Sequence, residues 1–239
     1  MDKPTGAQLP RLSWLSISPQ ANLINIPTAL MLIVGAKGHA VEVLQCLTDA
    51  EQEGVVFFDD ITPSLADSVL GQFLLLRSAA EVQAYLTNTD SRFVLGLGGP
   101  AQRRRLAAQF KNWGGQLTSV IASTAVVSPL AIIGPGANIM HHTLVSPTAR
   151  LGEGVILNAG ATVHHDSIVG DYCEISPGAR VLSRCQLGFG CRVGALAVIL
   201  ADVIVGHEAI IGAGAVVTRP VKAGTTVVGV PARLIGEDI

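Results

Sequence analysis

The chain is short of aromatic residues and of charge. Of its 239 residues, 4% are Phe, Trp or Tyr and 14% are Asp, Glu, Lys or Arg, while 49% are apolar. A core must therefore be assembled from Val, Ile, Leu and Ala. The formal net charge of −2 supplies no broad basic field, which argues against nucleic acid as a partner. No apolar run reaches the roughly 20 residues of a membrane-spanning helix, so no membrane partner is expected. Residues 1–28 lack the basic start and continuous apolar stretch of a secretory signal, and Pro10, Pro19 and Pro27 interrupt them. They read as a flexible leader on a cytoplasmic protein. The four cysteines include no CxxC pair and need not pair in a reducing compartment. What the chain has in quantity is glycine, 26 residues, which points to many tight turns.

The second half is a repeat. Cut into sixes from Ala125, it reads AVVSPL, AIIGPG, ANIMHH, TLVSPT, ARLGEG, VILNAG, ATVHHD, SIVGDY, CEISPG, ARVLSR, CQLGFG, CRVGAL, AVILAD, VIVGHE, AIIGAG, AVVTRP, sixteen units without a slip. The third letter is aliphatic in every unit and the first is Ala, Thr, Ser, Cys or Val. A period of six is neither the helical period of about 3.6 nor the strand period of about 2. It fits a triangular coil in which each unit makes one short strand and one corner. The aliphatic residue fills the interior and the small residue packs at the corner. Three units close a coil of eighteen residues, and coils stack as parallel strands about 4.8 Å apart. No coil buries its core alone, so stacking supplies the stability. Cys173, Cys185 and Cys191 all occupy the small first letter and are expected to pack there.

The first half reads as an α/β unit. A buried strand at 29–34 leads into Gly35-Ala36-Lys37-Gly38-His39 and a helix from about Ala40 to Ala50. A second strand, VVFF, ends at Asp59-Asp60. A helix near Ser78–Leu86, a strand at 93–98 and a helix from Ala101 to Phe110 follow. Strand, glycine turn and helix open many nucleotide-binding folds. GAKGHA lacks the GxGxxG spacing, so a dinucleotide is not expected. Gly35 and Gly38 either only make the turn or let backbone N–H groups approach an anion. Asp59 and Asp60 either hold a substrate hydroxyl or amino group or end the strand. Arg103, Arg104 and Arg105 either lie near phosphates or form a solvated face.

The hexapeptide pattern resembles the hexapeptide-repeat acyltransferases, and that resemblance gives the coil its left hand. The α/β opening, then VIASTAVVSP, then the repeat, is similar to the sugar O-acyltransferase subfamily over residues 30–236. That group includes sialic acid O-acetyltransferases and N-acetyltransferases of nucleotide-linked 4-amino-4,6-dideoxy sugars. The resemblance implies a leader at 1–28, a nucleotide-sugar-binding α/β domain at 29–122 and a left-handed β-helix with a C-terminal cap at 123–239. It implies a homotrimer that binds acetyl-CoA in clefts between neighbouring prisms, with no metal. Gly35, Gly38, His39, Asp59 and Asp60 match the region that holds the nucleotide sugar.

Catalysis is expected in the polar stretch 158–179. His165 and Asp166 take the two corner letters of ATVHHD, where the family carries a His followed by an acid. His165 would then be the general base, since imidazole titrates near working pH, and Asp166 would orient its ring. Ser183 lies one coil further on the same corner, so its backbone N–H is a candidate donor to the thioester oxygen. Asn158, one unit before, is a candidate for positioning substrate. Glu174 stands where many relatives carry a second His near the acetyl group, and so counts among the acetyl-CoA-binding positions. Gly194, Gly212, Ala213 and Arg233 complete them, the glycines by admitting a thin ligand and Arg233 by offering bidentate donors to phosphate. His141 and His142 either line the acceptor cleft or are solvated corners.

The leading expectation is acetyl transfer to a nucleotide-linked amino sugar, with sugar O-acetylation as the alternative. A non-catalytic binding protein of the same fold is a further reading, suggested by Glu174. A zinc hydrase needs a close HxxxxH pair plus a third His, and the histidines lack that spacing.

Overall fold

The computed structural model describes residues 31–64 and 68–235. The expected leader, residues 1–28, lies outside them. Among the described residues no helix is long and apolar enough to cross a membrane.

The first domain is built on a sheet of order β3-β4-β2-β1-β5-β6, parallel except for the β3–β4 hairpin. Its strands are β1 (Met31–Val34), β2 (Val55–Phe58), β3 (Ser68–Val69), β4 (Phe73–Leu76), β5 (Arg92–Leu95) and β6 (Gln116–Leu117). β1, in the middle, is an unbroken apolar run buried on both faces, as a central parallel strand must be. Helix α1 (Gly38–Gln45) is shorter than the sequence pattern suggests. The chain restarts as α2 (Asp49–Gln52), because Thr48 and Glu51 form a capping box: the Glu51 carboxylate accepts from Thr48 N–H at 2.8 Å. Ser78 and Glu81 cap α3 (Ala79–Asn88) in the same way, and α4 spans Pro100–Asn112.

The hexapeptides wind into a left-handed parallel β-helix, with each strand paired to the one eighteen residues away, as in Asn138↔Ile156 and Thr162↔Arg180. It has three faces. Face one starts at Val120–Ile121, face two at Val126–Val127 and face three at Ile132–Ile133. The third letters point inward and are buried from Ile139 to Val217. The small first letters, Ala161, Cys173, Ala179, Cys185 and Cys191 among them, also point inward just past each corner and are fully buried. The three cysteines thus pack as expected, each thiol donating to a carbonyl of the next coil, for example Cys191 Sγ to Gly206 O at 3.0 Å. Coil-to-coil pairing begins at Val120, whose N–H donates to Ala137 O in the next coil.

Second letters face outward, and early on face one, at Asn138 and Ile156, the first domain covers them, whereas Arg192 further along is exposed. Asn138 and Ile156 are 1% exposed, and Asn138 donates from Nδ2 to Leu95 O of β5 at 2.7 Å. An outward Ile would otherwise waste its burial.

Candidate active site

The first-domain cleft lies at the carboxyl ends of β1, β2 and β5, beside the switch point of the sheet where α/β folds bind ligands. Gly35, Asp60, Leu97, Gln102 and Arg105 line it. Gly35 is required by the turn: its φ is +105° and a Cβ would meet Gly96 O at 2.9 Å. A Cβ on Gly38 would meet only open space, so packing does not account for that glycine. His39 is half-buried, with Nδ1 3.2 Å from Glu42 Oε2. Asp59 is buried and its carboxylate is occupied locally: Oδ1 accepts from the N–H groups of Ile61 (3.1 Å) and Thr62 (2.8 Å). Asp59 therefore caps the loop after β2, whereas Asp60 is exposed at the cleft.

Of the three arginines of α4, Arg104 and Arg105 are exposed. Arg103 is neither solvated nor near the cleft. It is 0% exposed and turns from the opposite side of α4 into the prism. There Nη1 donates to Glu174 Oε2 at 3.1 Å and Nη2 to Tyr172 O at 2.7 Å, with Gly154 O and Cys173 O nearby. Burial pushes the guanidinium down from its ordinary range, and the Glu174 charge opposes that shift. Gly99 N–H donates to the same Glu174 oxygen at 3.1 Å. Glu174 is thus the carboxylate that answers a buried cation, a partner that a lone sequence position does not reveal.

His165 and Asp166 sit at the corner between faces two and three. Both are about half exposed, and His165 Nδ1 lies 2.8 Å from Asp166 Oδ2. An adjacent carboxylate reaches the ring because Asp166 is left-handed, with φ +61°, which Asp tolerates better than most residues. With Nδ1–H donating to the carboxylate, Nε2 is the free acceptor.

Asp166 belongs to a column. Thr148, one coil earlier, donates from Oγ1 to Asp166 Oδ1 at 2.6 Å and accepts from Asp166 N–H at 3.1 Å. One coil later, Arg184 grips Asp202 with two bonds of 2.6 and 2.8 Å. The Thr148 hydroxyl, then His165, then the Arg184 charge hold the Asp166 carboxyl below the usual carboxylate range. Thr148, Arg184 and Asp202 went unread in the sequence, although each stands eighteen or thirty-six residues from Asp166. Ser183 shares the corner, and among the described residues no backbone carbonyl accepts its N–H.

Asn158, Gly194, Gly212 and Ala213 lie on a different corner, between faces one and two. Asn158 N–H and Nδ2 both point at Ile175 O, 2.9 and 3.3 Å away. A Cβ on Gly194 would meet Ala213 N at 2.5 Å, so coil packing alone requires that glycine. At the end of the prism Arg233 lines a cleft of about 230 Å³ with two further cations, Arg219 and Lys222. His141 bridges the domains, with Nε2 3.2 Å from Gln45 O and Nδ1 2.8 Å from Thr124 Oγ1. His142 is exposed. One chain therefore keeps its candidate residues apart. His165 sits on one corner, the glycines on another across face two, and the first-domain cleft includes neither.

The chain matches the family models described as bacterial transferase hexapeptide (six repeats), at residues 148–183 and 184–219, and PglD N-terminal domain, at residues 31–110. Comparison with curated proteins gave no significant match. Among solved structures, it is similar to the acetyltransferase domain of PglB from Neisseria gonorrhoeae, at 31% identity and a TM-score of 0.77, covering 86% of this chain and 98% of that one. It is also similar to PerB from Caulobacter crescentus in complex with CoA and GDP-perosamine, at 27% identity and a TM-score of 0.77, covering 88% and 99%. WeeI from Acinetobacter baumannii aligns at 27% identity and a TM-score of 0.77, covering 86% and 99%. A prism of hexapeptide coils behind a PglD-type domain, matched over 86% of the chain by an acetyltransferase domain at 31% identity, leads to one assignment: this chain belongs to the hexapeptide-repeat sugar acyltransferase family and is an acyltransferase.

Proposed function

We propose that the enzyme transfers an acetyl group from acetyl-CoA to the amino group of a nucleotide-linked 4-amino-4,6-dideoxy sugar, with His165 as general base. The observation that carries this is the 2.8 Å contact between His165 Nδ1 and Asp166 Oδ2, which leaves Nε2 as an exposed acceptor. The similar PerB structure holds CoA and GDP-perosamine, an amino sugar on a nucleotide, and this favours nitrogen over oxygen as the acceptor atom.

The sugar amine attacks the thioester carbon while His165 Nε2 takes its proton. The tetrahedral oxyanion accepts from Ser183 N–H, the C–S bond breaks, and the imidazolium returns the proton to the leaving thiolate. Asp166 steadies the imidazolium and fixes the tautomer. No acyl-enzyme is needed.

The first-domain cleft holds the nucleotide sugar through the Gly35–Gly38 turn, His39, Asp60 and Arg105. The pantetheine runs past Gly194, Gly212 and Ala213 towards Arg219, Lys222 and Arg233, whose charges suit its phosphates. Because these groups lie on separate corners of one prism, a homotrimer supplies the missing wall, with the His165 corner of one copy facing the covered side of the next. A cytoplasmic site of action agrees with four buried, unpaired cysteines.

His165→Ala should lower turnover about 10²- to 10⁴-fold while CoA still binds, measured by thiol release and calorimetry. Turnover equal to wild type would remove His165 from the chemistry.

A further inference from the structure

The three corners of the prism fill their left-handed slot differently. Between faces three and one the slot holds Gly136, Gly154, Gly190 and Gly224, broken only by Tyr172 and Glu208. Between faces one and two it holds Gly160, Gly178 and Gly214, broken by His142 and Leu196. Between faces two and three four successive coils place Thr148, Asp166, Arg184 and Asp202 there, and no glycine.

Thr148 is the costliest of these. Its φ is +64°, and among the described residues it is the only β-branched residue at positive φ. A β-branched side chain is a conformational outlier there, whereas Gly, Asn or Asp would sit at ease. Strain that persists beside a reacting group is a reason to look for a role. The same branching stiffens χ1 and so aims the hydroxyl. That hydroxyl has one proton and two acceptors in reach, Pro147 O at 2.5 Å and Asp166 Oδ1 at 2.6 Å. The charged acceptor is the stronger one. Asp166 N–H returns a bond to the same Oγ1 at 3.1 Å, so the two residues are locked in both directions.

We propose that Thr148 is a positioning residue for the acyl transfer, holding Asp166 so that its second oxygen keeps His165 in the tautomer with Nε2 free. Thr148 neither touches substrate nor moves a proton. Half-exposed Asp166 has other rotamers open to water. With Oδ1 fastened one coil below, Oδ2 stays on Nδ1 and the ring cannot turn its protonated nitrogen towards the amine. The inference rests on His165 being the base.

The test compares Thr148→Val, Thr148→Ser and Thr148→Gly in the full-length enzyme. Val keeps the shape and loses the bond, so kcat should fall about tenfold, the worth of one charge-assisted hydrogen bond, with both KM values within about twofold. Ser restores the hydroxyl and should recover most of the rate. Gly relieves the strained slot and should unfold no earlier than wild type yet be as slow as Val. Nitrogen-15 shifts of His165 should show the Nδ1–H form dominant in wild type and Ser and diluted in Val and Gly. Val at wild-type kcat, or Ser as slow as Val, would overturn the proposal. If His165→Ala itself stayed active, the base reading would fail first. Full-rate Val beside an inactive His165→Ala sinks the Thr148 inference alone.

Discussion

Two corners of the same prism, built from the same six-letter unit, have been put to opposite uses. Between faces three and one the fourth letter is always glycine: Gly134, Gly152, Gly170, Gly188 and Gly206. Between faces two and three it is never glycine, reading Ser128, Ser146, His164, Leu182, Leu200 and Thr218. At the first of these corners the fourth letters meet the next coil through backbone, beside side-chain contacts such as Glu153 N–H to Asp171 Oδ1 at 2.8 Å. A Cβ on Gly170 would lie 2.7 Å from both Gly188 C and Phe189 N, a distance real side chains do not occupy. At the second, coils touch through side chains, as in Thr148–Asp166 and Arg184–Asp202. A backbone-packed corner can be roofed by another domain. A corner held by exposed polar side chains can do acid–base chemistry, because those groups hydrogen-bond each other and still meet solvent. The enzyme covers the first with α4 and leaves the second open.

The sharpest way to break this contrast is one methyl group at equivalent letters. Gly170→Ala should destabilise the prism by about 3 kcal/mol or prevent assembly, because two backbones would have to part. His164→Ala, at the same letter on the open corner, should stay within about 0.5 kcal/mol of wild type. Denaturant unfolding of the pair reads the difference directly. Equal effects would mean that glycine at the covered corner is incidental.

A comparable effect is expected where the first domain grips the covered side. Glu174→Ala strands the Arg103 cation, 0% exposed, with carbonyls alone for partners, and should cost about 3 kcal/mol. Replacing both members, Arg103→Met with Glu174→Leu, removes the uncompensated charge and should cost less than Glu174→Ala by itself. A double-mutant cycle followed by thermal melting measures this coupling. A double variant as costly as the sum of the singles would show that each side chain is held for its own packing rather than for the other.

The legibility of the molecule followed the same contrast. Phase-locked residues such as Ile139, Val145 and Leu151 declared the coil, because an interior repeats whatever the exterior does. His165 and Asp166 were legible by letter and by resemblance. The bond between them followed from the resemblance, but how an adjacent carboxylate reaches Nδ1 was not legible, because it depends on the left-handed backbone at Asp166. Glu174 read as a departure from the family, and only the fold brings Arg103 to it across 71 residues. Thr148 was legible in principle, eighteen residues before Asp166, yet a threonine in TLVSPT carries no mark of the slot it occupies. The helix expected to reach Ala50 stopped early at a capping box whose letters, Thr48 and Glu51, stood in plain view. Contacts within a period or a turn can be read from the chain. Contacts between domains require the fold that brings them together.

The smallest expected effect concerns acid. Arg184 holds the Asp202 carboxyl below its ordinary value, and the Thr148 hydroxyl and then His165 do the same for Asp166. A carboxyl lowered by folding contributes stability that is fully present above its unfolded value, about 3.9, and is lost as pH falls through the lower folded value. The open corner should therefore loosen from about pH 4 downward, as should the lowered carboxyl of the covered corner, Glu153, whose burial is outweighed by its bonds from Lys111 and Tyr172. Asp202→Asn removes one such carboxyl. Its melting temperature should sit slightly below wild type at neutral pH, slightly because the pair is exposed and screened. The two curves should converge as the wild-type Asp202 is protonated. Curves that run parallel down to pH 2 would show that the Arg184–Asp202 pair adds nothing to the prism, and that Thr148 and Asp166 hold their corner without help from the coils above.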